Sequence, residues 1–366
     1  MTNPLVKSHV LPPFSAIEAA HVEPAVSQII NESRTHLQNL LANLTQPTSV
    51  QPSWETLVAP LEEQGDKLDQ AWSPVSHLNS VRNNDEMRSA YNASIALLTE
   101  YGTELSQNEN LFKAYQKLAD SAEYEQLSQA QKQAVDNALR DFRLGGVALS
   151  VEHKKRYAEI QQRLSELSTQ FSNHVLDSTQ AWFKHFETAD ALAGLPESAL
   201  AQAAQAAQKK SLSGYVITLD FPSYYAVIMY ADNRALREEI YTANVTRATS
   251  NSQKTNADYK IEFTAEFDNT GIIAETLSLR HELAQLLGFA NYAERSLATK
   301  MAQSPQQVLD FLQALAQKSK PYAARDYAEL CEFAKVNGCA DLQAWDTTYY
   351  SEKLRVEKYS ISQEEL

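Results

Sequence analysis

From Ser150 to Phe186 the chain reads SVEHKKRYAEIQQRLSELSTQFSNHVLDSTQAWFKHF, without a glycine or a proline. Ile160, Leu164, Leu167, Phe171 and Val175 keep to steps of three or four, with Leu176 adjoining the last and Glu, Gln, Lys and Arg between them. Residues so spaced share one face of a helix, so the stretch predicts a single long amphipathic helix. It is expected to be the longest in the chain and to serve as a spine for the others.

The same period extends upstream. Ser15 with Glu18 three residues on has the spacing of a capping box, and Ile17, Val22, Ala25, Val26, Ile29 and Ile30 follow at helical period. Trp54, Leu57, Val58, Leu61 and Leu68 predict a second helix, and segments 84–104 and 109–120 read alike. Ala134, Val135, Ala138, Leu139 and Phe142 mark another, stopped by Gly145-Gly146. Downstream, Pro196 opens an alanine-rich helix from Ser198 to Gln208. Then the period changes. Tyr215–Leu219 and Tyr224–Tyr230 are β-branched and aromatic runs joined by Asp220-Phe221-Pro222-Ser223, which predicts a small β-hairpin or sheet near 215–230. Helices resume at Asn233–Asn244, Gly271–Leu287 and Pro305–Asn337, with a polar loop expected over Thr249–Asp258. The fold class is mainly α, and no fixed-period repeat suggests a solenoid.

At 366 residues the chain has room for two domains, and 9 glycines and 12 prolines are too few for a many-turned β fold. The formal charge of -14 argues against nucleic acid and anionic membrane as partners, because phosphate binding draws on a basic stripe. Met1–His9 has no basic run followed by an apolar one, and no stretch approaches the roughly 20 apolar residues of a bilayer span. Cys331 and Cys339 stand eight apart, a spacing that fits neither a zinc site nor a redox pair. Two reduced thiols in so long a chain suit a reducing compartment, so a cytoplasmic location is expected.

His281-Glu282-Leu283-Ala284-Gln285 comes within one residue of the His-Glu-x-x-His zinc helix. Gln285 occupies the place of the second histidine, which leaves ordinary helix-surface residues as the better reading. His174 and His185 stand eleven apart on the expected long helix. At about 1.5 Å per residue they would be separated by roughly 16 Å, too far for one metal. His174 with Asp177, and Glu18 with His21, each supply at most half a site. There is no Gly-rich phosphate loop and no GxSxG elbow. The Tyr-rich stretch and Trp345, Tyr349 and Tyr350 are recognition candidates, against the plainer reading of aromatic packing.

Several longer strings carry a resemblance. They are Leu11-Pro12-Pro13-Phe14-Ser15, His21–Val26, Ser73–Val81, Ala134–Phe142, Arg163–Leu167, the run Leu279–Phe289 continuing to Ser296–Ala302, and Trp345-Asp346 with Tyr349–Lys353. Together they resemble the thimet-oligopeptidase family of zinc metallopeptidases over essentially the whole chain. The resemblance implies a multi-helix architecture in two lobes around a deep channel that admits short unstructured peptides. It implies an N-terminal α-helical domain over 1–212, and over 213–366 the beginning of a peptidase domain, truncated before its zinc motif. Zinc is implied for the complete enzyme, held by a downstream His-Glu-x-x-His helix and a further Glu. No residue of this chain is expected to be catalytic, to bind zinc or to be an assignable substrate contact. The implied partners are short peptides and the C-terminal catalytic region of the same protein. The rival expectation is a non-catalytic helical peptide-binding protein arising from truncation. Helix faces left without partners are expected to lower stability or to promote association.

Overall fold

The computed structural model describes residues 3–45, 51–249, 254–255, 260–261 and 265–365. Among them, the helices of the N-terminal stretch are α1 (Ala19–Thr45), α2 (Ala59–Val81), α3 (Asp85–Ser106), α4 (Glu109–Ala119), α5 (Ala122–Gln126), α6 (Gln129–Leu144) and α7 (Val151–Ala181). There follow strand β1 (Phe183–Phe186), α8 (Glu197–Lys209), β2 (Tyr215–Thr218), α9 (Phe221–Tyr230) and α10 (Arg234–Thr246). Two-residue strands β3 (Lys254–Thr255) and β4 (Lys260–Ile261) pair antiparallel, and α11 (Thr270–Leu286), α12 (Tyr292–Leu297), α13 (Pro305–Val336) and α14 (Ala344–Tyr359) complete the order. The mainly-α expectation holds. The chain divides into two compact units, one of Met1–Thr169 with Thr276–Arg295, the other of Gln170–Glu275 with Ser296–Leu366.

In the first unit, α1 runs through three hydrophobic clusters. Its N-terminal half sets Val22, Ala25 and Ile29 against Ala71, Val75 and Leu78 of α2. Val26 and Ile30 meet Tyr101 of α3. Its C-terminal half sets Leu37, Leu40 and Leu44 against Leu111 and Leu118 of α4 and Val135 and Leu139 of α6. Each full burial of such a side chain is worth about 1.5–3 kcal/mol, so α1 is the element this unit is built on. It does not begin as the capping-box reading has it. Ser15 sits in a 3-10 turn, Phe14–Ala16, and the backbone N–H of Glu18 donates to His21 Nδ1 at 3.1 Å. A ring nitrogen three residues into the helix thus ties up an N–H group at its entrance. A smaller cluster packs Tyr157 and Ile160 of α7 against Leu283 of α11.

The second unit corrects three expectations. The long helix stops at Ala181, and Phe183–Phe186 forms a strand instead of its last turn. This strand is the partner of Tyr215–Thr218, antiparallel, with Phe183 opposite Thr218 and Phe186 opposite Tyr215. The small sheet near 215 is therefore present, but it is not a hairpin closed on Tyr224–Tyr230, because that run is helix α9. Pro222 lies in the first turn of α9, where its missing N–H costs nothing. Tyr224, Val227, Ile228 and Ala231 then recur at helical spacing and enter a core with Ile217, Leu219, Leu236 and Ile240. Tertiary burial overrides the β propensity of the run. Gly214 (φ +79°) opens β2, and a Cβ there would come 2.2 Å from the Phe186 carbonyl oxygen. Finally, α13 with 32 residues is longer than α7 with 31. The loop expected over Thr249–Asp258 lies outside the described residues except for Thr249 and β3.

Candidate functional site

The most elaborate polar cluster of the second unit is built where α10 and α14 begin. Asn233 caps α10 by accepting the Leu236 N–H at 3.2 Å. The cap starts the helix so that Arg234 and Arg237, three apart, share a face. Gln343 caps α14 in a reciprocal pair with Asp346, whose carboxylate accepts the Gln343 N–H at 3.1 Å. Such a box satisfies N–H groups that the helix itself cannot. Asp346 is 0% exposed and Arg237 1%. Arg234 approaches the Asp346 carboxylate side-on, Nε at 3.0 and 3.1 Å and Nη2 at 2.7 Å. Arg237 Nη2 donates to the other oxygen at 2.8 Å, and its Nη1 to the Ala231 carbonyl at 2.7 Å. The Arg237 guanidinium lies 4.0 Å from the centroid of the Tyr349 ring, and the Tyr349 hydroxyl donates to Asp232 at 2.7 Å.

Burial alone would raise the Asp346 pKa. The hydrogen bonds from Arg234, Arg237 and the Gln343 N–H outweigh it and hold the carboxyl below its ordinary value. Burial, then the bond to Asp232, push the Tyr349 phenol up. An ionised, enclosed carboxylate saturated with donors has no lone pair to offer a substrate or a metal. The cluster is a clasp between α10 and α14. It was not legible in the sequence, because Arg237 and Asp346 stand 109 residues apart.

The sequence candidates sit elsewhere. In the first unit, Glu282 is held by Arg156 of α7 through two bonds, Nε to Oε1 at 2.6 Å and Nη2 to Oε2 at 2.8 Å. That guanidinium keeps the Glu282 carboxyl below its usual range. Gln285 Nε2 donates to the carbonyls of Phe289 and Ala290 at 3.1 and 2.8 Å, closing the C-terminal end of α11. His281 is exposed. In the second unit, His174 Nδ1 meets Asn269 Oδ1 at 3.0 Å, and His185, on β1 rather than on the long helix, meets the Ser213 carbonyl at 2.6 Å. Tyr349 and Tyr350 are buried, their rings 5.0 Å apart edge to face, so they pack rather than present themselves.

Among the described residues, no group of three or more His, Cys, Asp or Glu side chains is placed to hold a metal ion. A zinc site needs three or four converging ligands, and in the motif-like pair His281-Glu282 the carboxylate is taken by Arg156. No described helix is long and apolar enough to cross a membrane. An open cleft of about 450 Å³ does exist in the first unit, between α2, α3 and α6, with Leu61, Leu98, Leu105 and Phe142 on its walls.

Comparison with known proteins identifies the class. Residues 26–154 match the family described as "Neurolysin/Thimet oligopeptidase, N-terminal domain", and residues 227–366 match "Peptidase family M3". The two stretches thus match models of the same group of peptidases. Within it, the chain is 51% identical to oligopeptidase A of Escherichia coli and 50% identical to that of Salmonella typhimurium, in each case over 100% of its own length and 52% of the relative's. Oligopeptidase A of Haemophilus influenzae is 49% identical with the same coverage. The chain thus spans about half the length of the curated relatives it matches.

Proposed function

We propose that this chain is the N-terminal part of a cytoplasmic zinc metallo-oligopeptidase that hydrolyses short, unstructured peptides. In this reading residues 1–212 form a helical domain and residues 213–366 begin the peptidase domain, and the stretch builds wall of the peptide channel. The zinc ligands and the catalytic base belong to the half of the relatives that this chain does not match. One observation carries the reading: 50–51% identity to two oligopeptidases A along the whole chain, with 52% of their length covered. The proposed boundary at 212/213 falls between the two family matches, which end at 154 and begin at 227.

The test is a pair of assays with an internally quenched peptide. The 366-residue chain alone is expected to show no turnover. Joined at Leu366 to the unmatched half of Escherichia coli oligopeptidase A, it is expected to hydrolyse the peptide and to lose that activity on chelation. Metal-dependent turnover by the chain alone, or a folded but inactive fusion, would overturn the reading.

A second reading is peptide capture without cleavage, and the cleft of about 450 Å³ favours it. Two glycines, Gly65 and Gly102, line that cleft although an added Cβ would meet nothing within 4 Å at either. Glycine inside a helix costs about 0.5–1 kcal/mol relative to alanine, a cost the local packing does not require. Micromolar peptide binding by the chain alone, abolished by G65L/G102L, would support this reading, and undiminished binding would remove it.

A further inference from the structure

Helix α1 buries Ile29, Ile30, Leu37 and Leu40 along one face, and midway between them its stripe holds Ser33. On one side of that point Ile30 packs with Tyr101 of α3, and on the other Leu37 packs with Leu111 and Tyr115 of α4. The cleft of about 450 Å³ opens where these two clusters part, and Ser33 lines it. In α2, Gly65 lies between Leu61 and Leu68; in α3, Gly102 lies between Leu98 and Leu105. The pattern Leu-x3-Gly-x2-Leu is the same in both helices, and all six residues line the cleft. Three helices thus each turn a small residue to one hollow. Packing does not demand the glycines, since an added Cβ would meet nothing within 4 Å at either.

The polar groups of the cleft are few and placed. Ser33 is 3% exposed, and its Oγ is enclosed without a hydrogen bond of ordinary geometry. A buried hydroxyl left so is costly, and a ligand that supplies the missing partner removes the cost. Asp69 and Asp141, both exposed, set carboxylates on the same cleft, and Asp141 is taken by Arg140 at 2.9 Å. Among the described residues no Lys or Arg lines it. Burial, then the Glu62 carboxylate, push the Tyr115 phenol up to about 12, so the field at the cleft is negative. A mostly apolar concavity of roughly 300–1,000 Å³ with a few convergent polar groups is the usual form of a small-molecule site.

We propose that the cleft is a binding site for a small aromatic amine with a hydrogen-bonding group on its ring. The ring lies among the leucines and Phe142, where two glycine backbones leave flat surface for it. The ring substituent reaches Ser33 at the buried floor, and the ammonium stays at the exposed mouth with Asp69. The same carboxylate disfavours anions. Such a site requires neither the unmatched half of the relatives nor a peptide, so it goes beyond both readings above.

The experiment is calorimetric titration of the 366-residue chain with tyramine, phenethylamine and 4-hydroxyphenylacetate. Tyramine is expected to bind with a dissociation constant below about 1 mM, and the other two at least about tenfold more weakly. Asp69→Asn is expected to abolish the preference for tyramine over the acid, and Ser33→Ala the preference over phenethylamine. Neither change should lower the unfolding midpoint, because Asp69 is exposed and the Ser33 hydroxyl is unpartnered. G65L/G102L, which fills the cleft, is expected to remove tyramine binding. Tyramine binding weaker than about 1 mM overturns the proposal. So does binding indifferent to G65L/G102L, or either preference surviving its variant. The amide of tyrosyl-glycyl-glycine separates this site from peptide capture. Binding of that peptide at least about tenfold tighter than tyramine makes a peptide the ligand and overturns the proposal. Tyramine bound at the cleft with no peptide bound refutes the peptide-capture reading alone.

Discussion

Helices α10 and α13 belong to the same unit and meet opposite fates. In α10 two charges are enclosed: Arg237 is clasped by Asp346, and Glu239 is paired with Lys184. In α13, with an apolar stripe of its own, only Leu330 and Ala334 are buried. Burial here follows the availability of a facing element, not composition. A helix with a polar outer surface and a partner becomes core, and one with an apolar stripe and no partner stays in water.

The sharpest way to break this contrast is at the clasp. Asp346→Ala leaves Arg237 buried and uncompensated, and loss of one member of a buried pair costs about 3–5 kcal/mol. Urea unfolding of the 366-residue chain should record a loss of that size, and a loss under about 1 kcal/mol would mean that the clasp does not hold α10 to α14. Next comes Ile240→Ala, at a fully buried position of α10. It is expected to cost about 2–5 kcal/mol by the same measurement. Phe311→Ala and Leu315→Ala on α13 should each change the stability of the chain by less than about 0.5 kcal/mol.

Acidification sharpens the contrast further. The Asp346 carboxyl lies lower in the folded chain than its ordinary 3.8. Its stabilisation is therefore complete above that value and drains away as pH falls through the folded pKa. The urea midpoint should fall more steeply below about pH 4 in the parent chain than in Asp346→Asn. A parallel fall in both would assign the acid sensitivity to other carboxylates. The smallest effect is expected at Arg156–Glu282, whose side chains are 43% and 40% exposed. Arg156→Ala should leave the urea midpoint unchanged within error despite the good geometry, because water screens the pair.

Much of this architecture was legible in the sequence, and the rest was hidden for definite reasons. The alanine-rich α8, α10 and α11 stand where period and helix breakers place them. Tyr224–Tyr230 misleads because its residues favour strands, while Pro222 and the burial of Val227 and Ile228 select a helix. Phe183–Phe186 hides at the end of a helical pattern because a strand of four residues gains its meaning only from Tyr215–Thr218. At the candidate sites, Gln285 in place of a histidine already disqualified His281-Glu282 as a zinc helix. The pairing of Glu282 with Arg156, 126 residues away, could not be read from local pattern. Periodicity reveals that α13 has an apolar face, but it is silent on whether anything covers it.

Amide hydrogen exchange, followed residue by residue, tests that last point most directly, because it reports local opening along each helix. In the 366-residue chain, α10 should exchange slowly and Leu309–Glu329 of α13 rapidly. Equal exchange over α10 and Leu309–Glu329 would contradict the account.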